Sequence, residues 1–307
     1  MHLYIPTLLL LTLLPPTHSW LVHPNGHPGP MATAAAEACL RKGLTLAPFC
    51  LTGPAVTDLE AVVTDPDTGR SQTVRLIRAD DEQGVKEALF ETSSIPAGEK
   101  LIAFDYTHPT AVLGNAALYV ESKIPFVMGS TGGDRSALSE IVAGHPCVIA
   151  PNMGKQIVAM QLALETLASR FPGSFDGYSL EVEESHQKQK ADTSGTCLAV
   201  VETIGNLQGP KSPEFKPEDI TLHRSDESSS AFGVPAEHLT SGHAHHTYRL
   251  TSSDKTVSFE LQHDVNGRRV YADGTADAID FLLRHLDSGG EERVYSMVDV
   301  LEGGGLE

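Results

Sequence analysis

Trp20-Leu21-Val22, then Asn25-Gly26-His27-Pro28-Gly29-Pro30-Met31, then the Ala-rich run from Met31 to Arg41 form the stretch that decides the fold. The apolar triplet reads as a short strand. The Ala-rich run reads as a helix, and Gly43 suits its C-terminal stop. A strand passed through a glycine loop into a helix is the opening of a parallel crossover unit. Glycines let a backbone approach a pyrophosphate, and a helix N-terminus offers N–H groups and positive potential to it. The full three-glycine fingerprint is absent, and Pro28 and Pro30 remove two amide donors. A tight strand–helix turn would look the same in isolation. Its place at the first crossover makes a dinucleotide loop the reading we carry forward.

The same alternation continues outward. Leu44 to Cys50 predicts a second strand, Leu101 to Phe104 a third, Ala111 to Ser122 a helix, Phe126 to Met128 a strand, Asp134 to Val142 a helix and Val148 to Ala150 a strand. The expectation is an α/β fold, with an N-terminal Rossmann-like parallel-sheet domain over residues 20–150. Phe104 to Thr107 and Gly129-Ser130-Thr131-Gly132 fall at C-terminal strand ends, where open sheets of this kind bind ligands, so they are expected to frame a nicotinamide. The second strand ends at Phe49-Cys50-Leu51-Thr52-Gly53 without the acidic residue that grips a free ribose 2′-hydroxyl. The cofactor expected is therefore NADPH or NADH, with NADPH favoured.

After Ala150 the pattern changes to a C-terminal α+β domain with an open mixed sheet, placed over residues 151–273. Gly154 to Phe171 predicts a long helix with Ile157, Met160, Gln161, Leu164 and Leu167 near one face. Ser179 to Glu183 and Val257 to Leu261 alternate like half-exposed strands. Gly195 to Leu207 predicts a helix with Val200, Val201, Ile204 and Leu207 inward, and Ile279, Leu282, Leu283 and Leu286 mark a late one. Gly209 to Asp219 and Ser225 to Gly233 read as loops.

The chain's 307 residues suit two domains, and its 40% hydrophobic content supports a packed core. Lys+Arg 22 against Asp+Glu 40 leaves a net charge of −18, which argues against nucleic acid or an anionic membrane as partner. Cys39, Cys50, Cys147 and Cys197 are too sparse for a disulfide framework or a zinc site and read as buried thiols. Leu8 to Leu14 is far shorter than the ~20 residues of a membrane span and resembles the apolar core of a signal peptide, with Thr17-His18-Ser19 as a cleavage site. Residues 1–19 are thus read as a targeting segment. A signal-like start followed by an aromatic residue points to a plastid, with the secretory pathway and the cytoplasm as alternatives.

Glu184-Ser185-His186-Gln187-Lys188-Gln189-Lys190-Ala191-Asp192-Thr193-Ser194-Gly195-Thr196 carries most of the chemistry. His186 can donate a proton near neutral pH. Lys188 and Lys190 concentrate positive charge in an acidic chain. Ser194-Gly195-Thr196 opens a helix, where hydroxyls and amides hold a carboxylate. Together these suit a small dianionic substrate, although a solvated loop with a Ser cap would share the residues. In Gly242-His243-Ala244-His245-His246, a strand puts His243 and His245 on one face and His246 on the other. Three metal ligands on such a segment lack identifiable partners, so the expectation is a polar strand beside the active site and no metal.

The catalytic segment resembles the E-x-H-H-x-x-K-x-D-x-x-S-G-T signature of the 4-hydroxy-tetrahydrodipicolinate (dihydrodipicolinate) reductase family, and more closely its plant form with E-S-H-Q. Phe104 to Pro109, Gly129 to Gly132, Pro151 to Gln156, Gly242 to Ala244 and Asn266 to Ala272 agree with it. The resemblance implies NAD(P)H-dependent reduction in diaminopimelate and lysine synthesis. It implies His186 as general acid, Lys190 as a carboxylate-binding lysine, and Ser194, Gly195 and Thr196 as a carboxylate cradle. Arg268 would lie near cofactor and substrate. Gly26, Gly29 and Met31 would form the cofactor loop, and Phe104, Thr107, Gly129 and Thr131 would surround the nicotinamide. It further implies a return of residues 274–307 to the first domain and a homo-oligomer, dimer or tetramer. Gln187 departs from the bacterial second histidine, and Pro30 and Ala32 depart from the usual loop. Competing readings are another two-domain NAD(P)-dependent oxidoreductase and a cofactor-binding sensor without catalysis.

Overall fold

The computed structural model describes residues 20–91, 95–130, 133–190 and 192–304. The leader read over residues 1–19 and the expected nicotinamide neighbour Thr131 lie outside them. The chain opens with β1 (Trp20–Asn25), α1 (Pro30–Lys42) and β2 (Thr45–Leu46). β1 is buried along its whole length, as a central strand covered on both faces must be. α1 ends at Gly43 in the left-handed conformation, with φ 88°, as the sequence suggests.

The strand expected over Leu44–Cys50 is in fact two. Pro48 has no N–H to continue a ladder, and its carbonyl accepts from Arg75 N at 2.9 Å. The chain therefore leaves β2 and enters β3 (Phe49–Thr52) in a different sheet. There β3 pairs parallel with β5 (Ser71–Arg78), which pairs antiparallel with β4 (Glu60–Thr64). α2 (Glu82–Leu89), β6 (Lys100–Asp105), α3 (Val112–Glu121), β7 (Phe126–Met128), α4 (Arg135–Ile141) and β8 (Cys147–Ile149) follow.

The second half begins with α5 (Lys155–Arg170), β9 (Ser179–His186), α6 (Gly195–Leu207) and β10 (Thr221–His223). On α5 the buried face is Ile157, Val158 and Ala168, whereas Met160 and Leu167 are each 38% exposed, so the expected face is rotated. The stretch Ser225–Gly233 is not all loop. It contains α7 (Asp226–Ala231), because the Ser225 hydroxyl accepts from Ser228 N at 3.1 Å and caps a helix that a serine-rich composition disguises. α8 (His238–Ser241), β11 (His243–Thr251) and β12 (Ser258–Asn266) come next; β12 runs five residues beyond the predicted strand. α9 (Arg269–Asp287), β13 (Val294–Tyr295) and α10 (Met297–Glu302) close the described chain.

The six-stranded sheet has the order β13-β8-β7-β6-β1-β2, all parallel. α1 and α9 cover one face, packing Ala35, Ala36 and Cys39 near Ile279, Leu282 and Leu283. α3 and α4 cover the other, around Tyr119, Phe126 and Leu138. The four-stranded mixed sheet, β10-β9-β11-β12, packs Leu180, Val182, Tyr248 and Leu250 against Cys197, Val200 and Ile204 of α6. All four cysteines are buried and unpaired.

Candidate active site

The glycine loop has a shape that side chains would spoil. Gly26 has φ 97°, and a Cβ there would stand 2.7 Å from the Tyr106 carbonyl oxygen. A Cβ on Gly29 would stand 2.8 Å from the Gly26 carbonyl oxygen, which already accepts from Gly29 N at 2.8 Å. Gly29 is the N-cap of α1. The first i→i−4 bond of that helix is Thr33 N to Gly29 O, so the Met31 and Ala32 amides precede it. A backbone this tight, ending on a helix start at the C-terminal edge of a parallel sheet, fits the pyrophosphate of a dinucleotide.

Beside it, Asp105 ties the strand ends together. Its buried carboxylate accepts from Asn25 Nδ2 at 3.1 Å, Tyr119 Oη at 3.0 Å, Asn115 Nδ2 at 2.8 Å and Thr107 N at 3.0 Å. A buried charge needs such satisfaction, and the result fixes Thr107 at the sheet edge. Phe104 is fully buried in the core, so it can face a nicotinamide only through its backbone. Gly129 is required by packing: a Cβ there would lie 2.3 Å from the Tyr106 ring. The Tyr106 hydroxyl in turn meets Thr275 Oγ1 of α9 at 2.5 Å.

α9 carries that contact to the other sheet. Thr275 lies seven residues after Arg268, about 10 Å along a helix at 1.5 Å per residue. Arg268 precedes α9 and approaches Gly242, where a Cβ would be 3.6 Å from its guanidinium and 3.0 Å from Gln187 Nε2. Gly267 N donates to Gly242 O at 2.9 Å. The ends of β9, β11 and β12 therefore converge where His186 and Gln187 sit, and α9 leads from there to the Tyr106 contact beside the glycine loop.

His186 closes β9 rather than beginning a loop. The alternation of β9 puts Glu184 and His186 on one face, and the β9–β11 register sets His246 opposite Glu184. His186 Nε2 lies 3.3 Å from His246 Nε2, and His246 Nε2 lies 3.5 Å from Glu184 Oε2. Glu184 has no exposure to solvent. Its carboxylate is bonded by the Arg224 guanidinium and accepts from Ser194 N at 3.1 Å. Burial works to raise the Glu184 pKa, but the bonds from His246, Arg224 and Ser194 outweigh it and hold the carboxyl below its ordinary range. Burial depresses the His186 pKa, with His246, Arg224 and Lys190 acting in the same direction and Glu184 against them. The resting imidazole is neutral.

Ser194 is the N-cap of α6, but its hydroxyl makes no cap hydrogen bond and its amide is given to Glu184. The expected cradle thus reduces to the Ser194 hydroxyl and the amides at Gly195 and Thr196. Thr196 Oγ1 accepts from Asn152 Nδ2 at 3.3 Å, linking it to the Pro151–Gln156 connection. Lys190 Nζ is 2.9 Å from Asp192 Oδ1, and its carbonyl accepts from Arg224 Nε at 2.8 Å. His243 and His245 occupy the opposite face, meeting Ser185 Oγ and Asn266 Oδ1, each at 2.9 Å. Glu184, His186 and His246 each offer one atom within 4.8 Å of the others, a grouping able to hold a metal ion that the sequence reading did not foresee. Arg224 and Ser194 already engage its carboxylate.

A dinucleotide-type parallel sheet, tied through α9 to an open sheet bearing an imidazole, an ammonium and a helix N-terminus, defines a two-part NAD(P)-dependent oxidoreductase. Sequence comparison narrows this. Residues 52–153 match the family model for the N-terminus of dihydrodipicolinate reductase, and residues 156–301 match that for its C-terminus. The chain is 42% identical over 304 residues to a probable 4-hydroxy-tetrahydrodipicolinate reductase 1, chloroplastic, of Oryza sativa subsp. japonica, covering 95% of this chain and 81% of the relative. It is 42% identical over 285 residues to 4-hydroxy-tetrahydrodipicolinate reductase 1, chloroplastic, of Arabidopsis thaliana, covering 92% and 78%. The chain belongs to the dihydrodipicolinate reductase family. A dipicolinate-bound dihydrodipicolinate reductase from Paenisporosarcina shares the fold with a TM-score of 0.56 at 18% identity, over 90% of this chain and 97% of that one.

Proposed function

We propose that the protein reduces 4-hydroxy-tetrahydrodipicolinate to tetrahydrodipicolinate in lysine synthesis, using NAD(P)H. The observation that carries this is the arrangement of His186, Lys190 and the α6 N-terminus at the sheet end that Arg268 and α9 connect to the glycine loop. When bound, NAD(P)H supplies the hydride for C4 of the substrate, which loses water. Gly26, Gly29 and Met31 hold the pyrophosphate, and Thr107 with the backbone at Phe104 and Gly129 flanks the nicotinamide. The Ser194 hydroxyl and the Gly195 and Thr196 amides hold one carboxylate; Lys190, turned from Asp192, and Arg268 neutralise the other. His186 donates a proton to the neighbouring carbon.

This division makes residues 20–150 with the returning C-terminal segment the cofactor half and residues 151–273 the substrate half. The return begins inside α9, which starts at Arg269 and runs unbroken past residue 274. NADPH is favoured, because β3 ends without a carboxylate and its Thr52 pairs with Arg78 of β5, a cation beside the expected ribose. A plastid location is supported by the chloroplastic plant relatives. Among the described residues no helix is long and apolar enough to cross a membrane. Assembly into a homo-oligomer is supported by the open edge strand β12 with its half-exposed Phe259.

The test is NADPH consumption by purified protein with freshly generated substrate. Turnover is expected, with kcat lowered about 10²-fold or more in both His186→Gln and Lys190→Ala. Wild-type turnover in either variant would refute its assigned role.

A further inference from the structure

One guanidinium beside the site is wholly committed to the protein itself. Arg224 follows the edge strand β10, whose Leu222 and His223 pair parallel with Glu184 and Ser185 of β9. An arginine carries five N–H donors in one rigid plane. Nε donates to the Lys190 carbonyl at 2.8 Å. Nη1 reaches the carbonyls of His223 at 3.3 Å and Glu184 at 3.4 Å. Nη2 donates to Glu184 Oε1 and reaches the Asp192 carbonyl at 3.3 Å. These acceptors account for every donor, so Arg224 is a cation at the site that does not itself take a substrate carboxylate.

What it holds brackets the two elements that face the substrate. Lys190 and Asp192 lie in the connection from β9 to α6, and both hang by their carbonyls from Arg224. The start of α6 hangs from the carboxylate paired with the same guanidinium, because Ser194 N donates to Glu184 Oε2 at 3.1 Å. The separation between the Lys190 backbone and the α6 N-terminus is therefore set by one planar cation and one carboxylate, both secured in the sheet. The Lys190 side chain remains free to swing from the exposed Asp192, whose Oδ1 it meets at 2.9 Å, while its backbone stays in place.

We propose that Arg224 is a positioning residue for substrate selectivity: through the Lys190 carbonyl and Glu184 it fixes the distance between Lys190 and the α6 N-terminus at that of two carboxylates on one small ring, and so selects dicarboxylates over monocarboxylates. This rests on the reading under Proposed function, which gives the two carboxylates to those two elements. Without the guanidinium, the connection must be ordered when the ligand binds, and that cost falls on the second carboxylate. A ligand with one carboxylate, held by the hydroxyl and amides that open α6, escapes most of it. Lysine at this position would keep the charge, but it gathers its donors on one atom and cannot span the Lys190 carbonyl and Glu184 as a plane does.

The test titrates the full chain, loaded with NADPH, with pyridine-2,6-dicarboxylate and with pyridine-2-carboxylate by calorimetry at one ionic strength. The variant is Arg224→Met combined with Glu184→Gln. It removes the guanidinium without stranding a buried charge, a double replacement that can be close to neutral for folding, and the glutamine keeps an oxygen for Ser194 N. Wild type is expected to bind the dicarboxylate more tightly. In the double variant that preference, as a ratio of dissociation constants, should fall about tenfold or more while the dissociation constant for NADPH holds. A merely structural residue would weaken all three ligands together. Glu184→Gln alone retains Arg224 with its bonds to the Lys190 and Asp192 carbonyls and should retain most of the preference. Arg224→Lys gives the same comparison where the double variant does not fold. A wild-type preference in the folded double variant, or in Arg224→Lys where only that variant folds, overturns the proposal. So does a preference that falls only together with NADPH affinity, or one lost equally in Glu184→Gln alone. Failure of the underlying reading shows differently, as a wild type that binds the two probes alike or does not oxidise NADPH.

Discussion

Replacing Arg224 with Met tests the electrostatics beneath the site. The Arg224 side chain is 17% exposed and pairs with Glu184, whose side chain is 0% exposed. It also donates to the carbonyls of Lys190 at 2.8 Å and Asp192 at 3.3 Å, which secures the segment between β9 and α6. Methionine retains the volume but leaves a buried carboxylate without its guanidinium, facing Ser194 N, His246 and the Cys197 thiol. Breaking such a pair costs about 3–5 kcal/mol, whereas replacing both partners can be close to neutral. Urea denaturation followed by circular dichroism should show that loss for Arg224→Met. Adding Glu184→Gln should recover more than about 1.5 kcal/mol of it, within the range of measured coupling energies. The loss should also depend on pH. The depressed folded-state pKa of Glu184 stabilises wild type above the ordinary carboxylate value, and that contribution is lost as pH falls through the folded value. In the variant the carboxyl titrates higher, so the two proteins should converge in stability as pH falls toward 4 and below. A loss under about 1 kcal/mol, or a pH-independent one, would refute the assignment of Glu184 as a paired buried anion.

Three further outcomes are expected. Gly274→Ala places a Cβ 1.7 Å from the Met153 carbonyl oxygen, so α9 must shift, and a loss of more than about 2 kcal/mol with a lowered melting temperature is expected; unchanged melting would contradict the packing. Gly26→Ala should raise the dissociation constant for NADPH at least about tenfold in fluorescence titration while the far-ultraviolet spectrum holds, because its φ of 97° and its 2.7 Å approach to Tyr106 exclude a side chain. Burial lowers the His23 pKa from 6.5 to about 4. A depressed histidine stabilises fully above the unfolded value, so stability should decline from pH 6.5 toward 4 by up to about 1.4 kcal/mol per pH unit from this residue, a slope that His23→Leu reduces.

The parallel sheet was legible because buried strands and Ala- or Leu-rich helices alternate in the chain with few exceptions. The three-stranded sheet was not: β4 is short and mostly exposed, and β5, though eight residues long, mixes polar residues with buried Val74, Leu76 and Ile77, so neither gives the continuous apolar signal of a buried strand. Leu44–Cys50 misled because a run of apolar residues does not reveal that Pro48 sends it into a second sheet. At the site, His186 was visible as a proton donor and Lys190 as positive charge concentrated in an acidic chain. Glu184 was quoted but given no role, although extending the Ser179–Glu183 alternation by one step puts it on the face of His186. His246 was correctly turned away from His243 and His245, yet what it faces depends on strand pairing across 60 residues. Arg224, 40 residues from Glu184, leaves no local trace at all.

The most direct measurement follows the label. With NADPH deuterated at its transferable position in ordinary water, nuclear magnetic resonance of the product should place deuterium at C4 alone, and a reaction in heavy water with unlabelled NADPH should place it at the adjacent carbon. His186→Gln should suppress both. Product without cofactor-derived deuterium at C4, or full turnover by that variant, would contradict the account.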